Sequence, residues 1–165
     1  MRKIIFDLDL TLVDTTPLEE ARAQRNWQLA YSLIGQCCLY EGMQEVLDVI
    51  AKNNIPTAIV STSPSSYVQR IVDYFHLPVR YIVGYHDAKP HKPAPQPMLL
   101  ALQKLESSAE QAISFGDRVI DIQASNAAMI ESVACFWGTK EKRELLASGY
   151  RHAIVKPNEI LTLIR

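Results

Sequence analysis

Four short segments of this 165-residue chain carry side chains suited to an anionic, oxygen-rich ligand: Asp7-Leu8-Asp9-Leu10-Thr11, Ser61-Thr62-Ser63, Lys92-Pro93-Ala94-Pro95 and Gly116-Asp117-Arg118-Val119-Ile120-Asp121. Together they supply carboxylates, hydroxyls and an ammonium. Carboxylate oxygens suit a hard octahedral cation such as Mg²⁺, which keeps several waters and shares its coordination with a phosphate. The His residues are scattered and lack the spacing of a zinc site. A single Asp after a strand is usually a helix cap or turn former, and Asp14 is read that way. The joint arrangement of Asp7, Asp9, Asp117 and Asp121 is what argues for a site.

These segments need a scaffold that brings them together, and the surrounding sequence describes one. Short β-branched and aromatic runs read as strands at Lys3–Phe6, Thr57–Val60, Arg80–Val83, Ala112–Phe115, Ser132–Phe136 and Ala153–Val155. Helical patterns fall between them. One runs from Pro17 to about Ile34, with Thr16 as N-cap, Pro17 in the first position and Glu19 and Glu20 in the first turn. After Gly42, apolar Met43, Val46, Leu47 and Ile50 repeat at helical spacing, and further helices fit Ser65–Phe75, Gln96–Leu105 and Ile120–Ala128. The alternation predicts an α/β fold: a Rossmann-like three-layer sandwich with a mainly parallel sheet and functional groups at the strands' carboxyl ends. The Pro-rich stretch Lys89–Pro97 reads as a stiff loop, with Lys89 a surface charge and His86 and His91 solvated.

Composition narrows the class. Hydrophobic residues make up 48% of the chain and charged ones 21%, enough to fill a core over one domain spanning 1–165. Lys plus Arg total 17 against 18 Asp plus Glu, so no net basic field is available for a nucleic-acid backbone, and nucleic acid is expected only as a substrate. No apolar run approaches the roughly 20 residues of a membrane span, and the run after Met-Arg-Lys stops at Asp7, too early for a secretory signal. Cys37, Cys38 and Cys135 form neither a zinc pattern nor a disulfide framework. A cytoplasmic location is the expectation.

The order of the four segments resembles the haloacid dehalogenase superfamily, the aspartate-nucleophile phosphatases. In that family a DxDxT segment ends the first strand, a Ser or Thr follows the second, a Lys precedes a helix, and a GDxxxD segment follows the fourth. Those positions fall here on Asp7, Asp9, Thr11, Ser61, Lys92, Asp117 and Asp121, and the match covers nearly the whole chain. The resemblance implies a Mg²⁺-dependent phosphatase acting on a phosphate monoester, small or macromolecular, through an aspartyl phosphate. Asp7, Asp9, Ser61 and Lys92 would be catalytic. Asp7, Asp117 and Asp121 would hold the metal with Asp9, the last through its backbone carbonyl. Thr11 would brace the loop.

The chemistry is consistent with those roles. A phosphomonoester dianion repels an attacking carboxylate unless cationic groups neutralise the transferring oxygens. Asp7 would attack in line, Asp9 would protonate the leaving alkoxide and later activate water, and Ser61 would donate to the phosphoryl group. Two positions depart from the family pattern: Leu10 stands where many relatives have Gly, and Arg118 where a small hydroxyl residue is common. Arg118 either adds a cation at the site rim or pairs with a surface carboxylate.

Many family members insert a helical cap after the first motif. Here the interval is about 15–41, room for one long helix or a short helical hairpin at about 1.5 Å per residue. That implies a minimal cap and an open site, with substrate contacts drawn from Arg22 and Arg25, together with Thr62 and Arg118. Asn26, Trp27, Gln28 and Tyr31 lie on the same segment. A noncatalytic protein keeping the fold and a hydrolase acting on another bond are the competing readings. Against one of these, a phosphonatase would use a cap Lys, and no Lys lies between Thr15 and Glu41.

Overall fold

The computed structural model describes all 165 residues. Strand β1 (Lys3–Phe6) lies inside the sheet because its side chains are apolar toward both faces. Ile4 and Phe6 join one core cluster and Ile5 the other, the period-two alternation of a doubly covered strand. Around it the sheet runs β5 (Tyr81–Val83), β4 (Thr57–Val60), β1, β6 (Ala112–Gly116), β7 (Glu131–Cys135) and β8 (His152–Ile154), with every pairing parallel. Strands β2 (Val13–Asp14) and β3 (Cys38–Leu39) form a separate antiparallel pair.

Helices cover both faces. Helix α3 (Met43–Lys52) contributes Met43, Val46, Leu47 and Ile50 to the larger core, and α4 (Ser65–Phe75) adds Tyr67, Val68, Ile71 and Val72. On the opposite face α5 (Gln96–Lys104) and α6 (Val119–Ala127) bury Met98, Ala101, Leu102 and Ala124. This is the Rossmann-like three-layer sandwich expected from the alternation. No helix is long and apolar enough to cross a membrane.

The segment between β1 and α3 is not one helix from Pro17 to about Ile34; of the two forms expected for 15–41 it takes the one with two short helices. It holds a 3-10 turn, Thr16–Leu18, then α1 (Glu19–Ala23) and α2 (Trp27–Ser32). The break comes at Arg25, whose φ of 54° is left-handed, and at Asn26, whose Oδ1 accepts from the Leu29 N–H at 3.2 Å. An Asn side chain that satisfies a free helix N–H starts a new helix more readily than it continues an old one. Thr16 is not the expected N-cap: its N–H and hydroxyl both donate to Asp14 Oδ1, at 3.1 and 2.6 Å. Leu18, Ala21, Ala30 and Ile34 anchor this segment on the larger core. Two short helices, α7 (Lys142–Leu146) and α8 (Ile160–Leu163), were not expected. Five and four residues are too few to show a helical period.

Candidate active site

Parallel pairing brings the ends of β1, β4 and β6 to one edge, and the loops there are tied across strands. Asp7 N–H donates to Phe115 O and Ser61 N–H to Val83 O, both at 2.9 Å. Asp7, Asp117 and Asp121 consequently converge, each offering a carboxylate oxygen within 4.8 Å of the others. The glycine of the fourth segment is required by this approach, since a Cβ at Gly116 would overlap the side chain of Asp121.

Lys92 reaches the cluster from the Pro-rich loop. Its buried ammonium donates to Asp121 Oδ1 at 2.6 Å, to Val60 O at 2.9 Å and to Asp7 Oδ1 at 3.1 Å. Burial disfavours the charge, but Asp121 and Asp7 outweigh it and hold the ammonium above its ordinary range. Burial and then the charge of Asp7 raise Asp121; burial, Asp7 and Asp121 raise Asp117, while a 2.9 Å hydrogen bond from Thr11 works the other way. One ammonium does not neutralise three clustered carboxylates. A buried all-oxygen donor set short of positive charge fits a hard divalent cation.

Asp9 is held apart from that trio. Thr15 and Tyr67 hydroxyls both donate to its Oδ1 at 2.7 Å, and Arg22 pairs with its Oδ2 at 3.1 Å. Its side chain therefore faces the inserted segment, which leaves a metal contact of Asp9 to the backbone carbonyl. Tyr67 and Thr15 were not singled out from the sequence. The available signal was a Tyr on the buried stripe of α4, because a buried phenol needs a polar partner.

Leu10 adopts a φ of 64°, the left-handed conformation that Gly takes without strain. Asp9, Arg22, Thr62, Lys92 and Arg118 line a cleft of about 240 Å³ over the carboxylates. Ser61, next to Thr62, is buried outside the lining of this cleft, and its Oγ accepts from the Ser63 N–H at 3.0 Å. Arg118 is exposed among the residues lining this cleft and pairs with Glu141 at 3.4 Å, the carboxylate pairing that was one of the two readings of it. Arg22 and Thr62 also border a second cleft of about 430 Å³, which includes Arg25, Trp27, Tyr85 and His86. His86 is an exposed loop residue, as expected, at the border of this cleft, whereas His91 is half-buried and stacks on Tyr85 at 4.0 Å. Lys89 is exposed, and Gln28, Asn26 and Tyr31 stand outside both clefts. Tyr31 instead packs under the Arg70 guanidinium at 4.2 Å.

Residues 25–135 match the model of the haloacid dehalogenase-like hydrolase family. Phosphoglycolate phosphatase of Pectobacterium atrosepticum is 31% identical over 127 residues, 73% of this chain and 53% of that protein. Pyrophosphatase PpaX of Oceanobacillus iheyensis is 26% identical over 122 residues, 73% of this chain and 57% of that protein. The chain thus spans about half the length of the curated relatives it matches. The fold matches a solved haloacid dehalogenase-like family hydrolase of Streptococcus pneumoniae with a TM-score of 0.81 at 21% identity, covering 100% of this chain and 99% of that one.

Proposed function

Because the chain belongs to the haloacid dehalogenase-like hydrolases, we propose that it is a Mg²⁺-dependent phosphatase that cleaves phosphate monoesters through a phosphoryl group carried on Asp7. The observation that carries this reading is the contact of one buried ammonium, Lys92, with two carboxylates, Asp7 and Asp121, beside a third, Asp117. Asp7, Asp117, Asp121 and the Asp9 carbonyl would hold Mg²⁺, whose charge when bound offsets that of the phosphoryl oxygens.

The residues divide the work. Asp7 attacks phosphorus in line and the ester oxygen departs with the bonding pair. Asp9 delivers a proton to that oxygen and then takes one from the water that attacks the aspartyl phosphate. Lys92 neutralises a phosphoryl oxygen and keeps Asp7 aimed, with Asp121 orienting Lys92. Ser61 and Thr62 complete the phosphoryl cradle, and Arg118 adds charge at its rim. In this reading the whole chain is one domain, with 15–41 a minimal cap whose Arg22 and Arg25 face the leaving group. A cytoplasmic site of action goes with it.

The test is release of phosphate from a panel of phosphate monoesters, with Mg²⁺, with Ca²⁺ and with chelator. The expected result is turnover with Mg²⁺, little with Ca²⁺, whose looser coordination spoils in-line alignment, and none after chelation. Equal turnover after complete chelation contradicts the proposal.

A further inference from the structure

Resting on the phosphatase reading, we propose that the larger cleft is the leaving-group subsite and that it takes a nucleoside, making nucleoside monophosphates the substrate class. Arg22 and Thr62 border both clefts, so the two adjoin and a leaving group can extend from the carboxylate cleft into the larger one. A volume of about 430 Å³ falls in the range of roughly 300–1,000 Å³ that holds multi-ring ligands, far more than a two-carbon acid fills.

The lining is aromatic and cationic. Tyr85 is exposed yet fixed: its ring stacks on His91 at 4.0 Å and meets the edge of His86 at 5.0 Å. Its backbone is held as well, since Tyr85 O takes a 2.7 Å contact from His91 Nε2 and Tyr85 N–H donates to Ser63 O at 2.9 Å. An aromatic side chain already immobilised loses little entropy when a flat ring lies against it. Across the cleft Trp27 is half-buried against Tyr67, with ring centroids 5.6 Å apart. Arg25 is exposed and takes part in no ion pair, which leaves a planar cation free to stack on a base. A sugar alone would call for a ring of amide and carboxylate side chains, and the one carboxylate here, Glu19, is engaged by Lys140.

One further atom points to a ligand at the junction. Arg22 Nε is buried without a hydrogen-bond partner, while the other end of its guanidinium holds Asp9. Buried donors are almost always paired.

The experiment compares kcat/KM for adenosine 5′-monophosphate, ribose 5-phosphate and acetyl phosphate in the Mg²⁺-loaded protein, its Tyr85→Ala and its Arg25→Ala forms. It adds equilibrium dialysis of adenosine 5′-monophosphate against the Asp7→Asn protein and against the protein carrying both Asp7→Asn and Tyr85→Ala. The base should raise kcat/KM at least tenfold over ribose 5-phosphate, and each substitution should cost the nucleotide about tenfold more than it costs acetyl phosphate, mostly through KM. Acetyl phosphate hydrolysis with no preference for the nucleotide over ribose 5-phosphate overturns the nucleoside subsite alone. Nucleotide binding to the Asp7→Asn protein, weakened by Tyr85→Ala, with no hydrolysis of any of the three by the unsubstituted protein, overturns the phosphatase reading alone.

Discussion

Arg22, on the first helix of the inserted segment, pairs with Asp9, two residues beyond the first carboxylate of the site, at 3.1 Å. The pair is partly screened from water, with Arg22 at 22% and Asp9 at 10% side-chain exposure, and the guanidinium also lies 5.5 Å from the Tyr67 ring centre. It is a polar tie between the segment and the sheet. Arg22→Ala should loosen α1, accelerating amide exchange across Ala21–Gln24 about fivefold or more, with no change in α5. Unchanged exchange in α1 would show that its apolar anchors Leu18 and Ala21 suffice.

The carboxylate cluster gives the metal-free protein a pH signature. Asp117 and Asp121 are held above the ordinary carboxylate range by burial and by neighbouring negative charge. A raised folded-state pKa favours the fold while the group is protonated, so this contribution is complete below about pH 4 and is lost as pH rises toward the raised values. Cation binding requires the ionised forms and compensates for the loss. The gain in Tm on replacing chelator with Mg²⁺ should therefore grow from pH 5 to pH 8 by calorimetry. A gain that is the same at both ends would remove the cluster as the metal site.

Much of the candidate site was legible because its chemistry is written in short segments that each follow a strand, and parallel pairing then aligns the strand ends. Asp7, Asp117, Asp121 and Lys92 met as their order suggested. The surroundings of Asp9 were not legible. Tyr67 is 58 residues away and looks like one more core residue of α4, so its hydroxyl contact depends on how α4 seats on the sheet. The break at Arg25 escaped for a local reason: composition favoured one helix, while Asn26 capped a second. Strands β2 and β3, two residues each, are too short for any alternation to show.

Gly116 tests how closely the fourth segment must approach. A methyl group there would displace Asp121, which orients Lys92. Gly116→Ala should lower stability by about 1–3 kcal/mol through overpacking, read from denaturant midpoints, and reduce turnover at least tenfold in the fraction that remains folded. Normal turnover in that fraction would show that Asp121 does not act through Lys92.

Asp9→Asn should separate leaving groups. A nitrophenolate departs without help, whereas an alkoxide needs a proton. Under single-turnover rapid quench, transfer to the enzyme should slow much more for an alkyl phosphate than for nitrophenyl phosphate. Equal losses with unchanged metal affinity would argue against Asp9 as the proton donor.

A phosphoryl group carried on Asp7 can be trapped chemically. Protein quenched during turnover with Mg²⁺ and then reduced with borohydride should yield homoserine at position 7, found by peptide mass spectrometry, and Asp7→Asn should yield none while keeping its fold. Turnover with no modification at Asp7 under conditions that trap acyl phosphates, or full activity in the Asp7→Asn protein, would exclude Asp7 as the phosphoryl carrier.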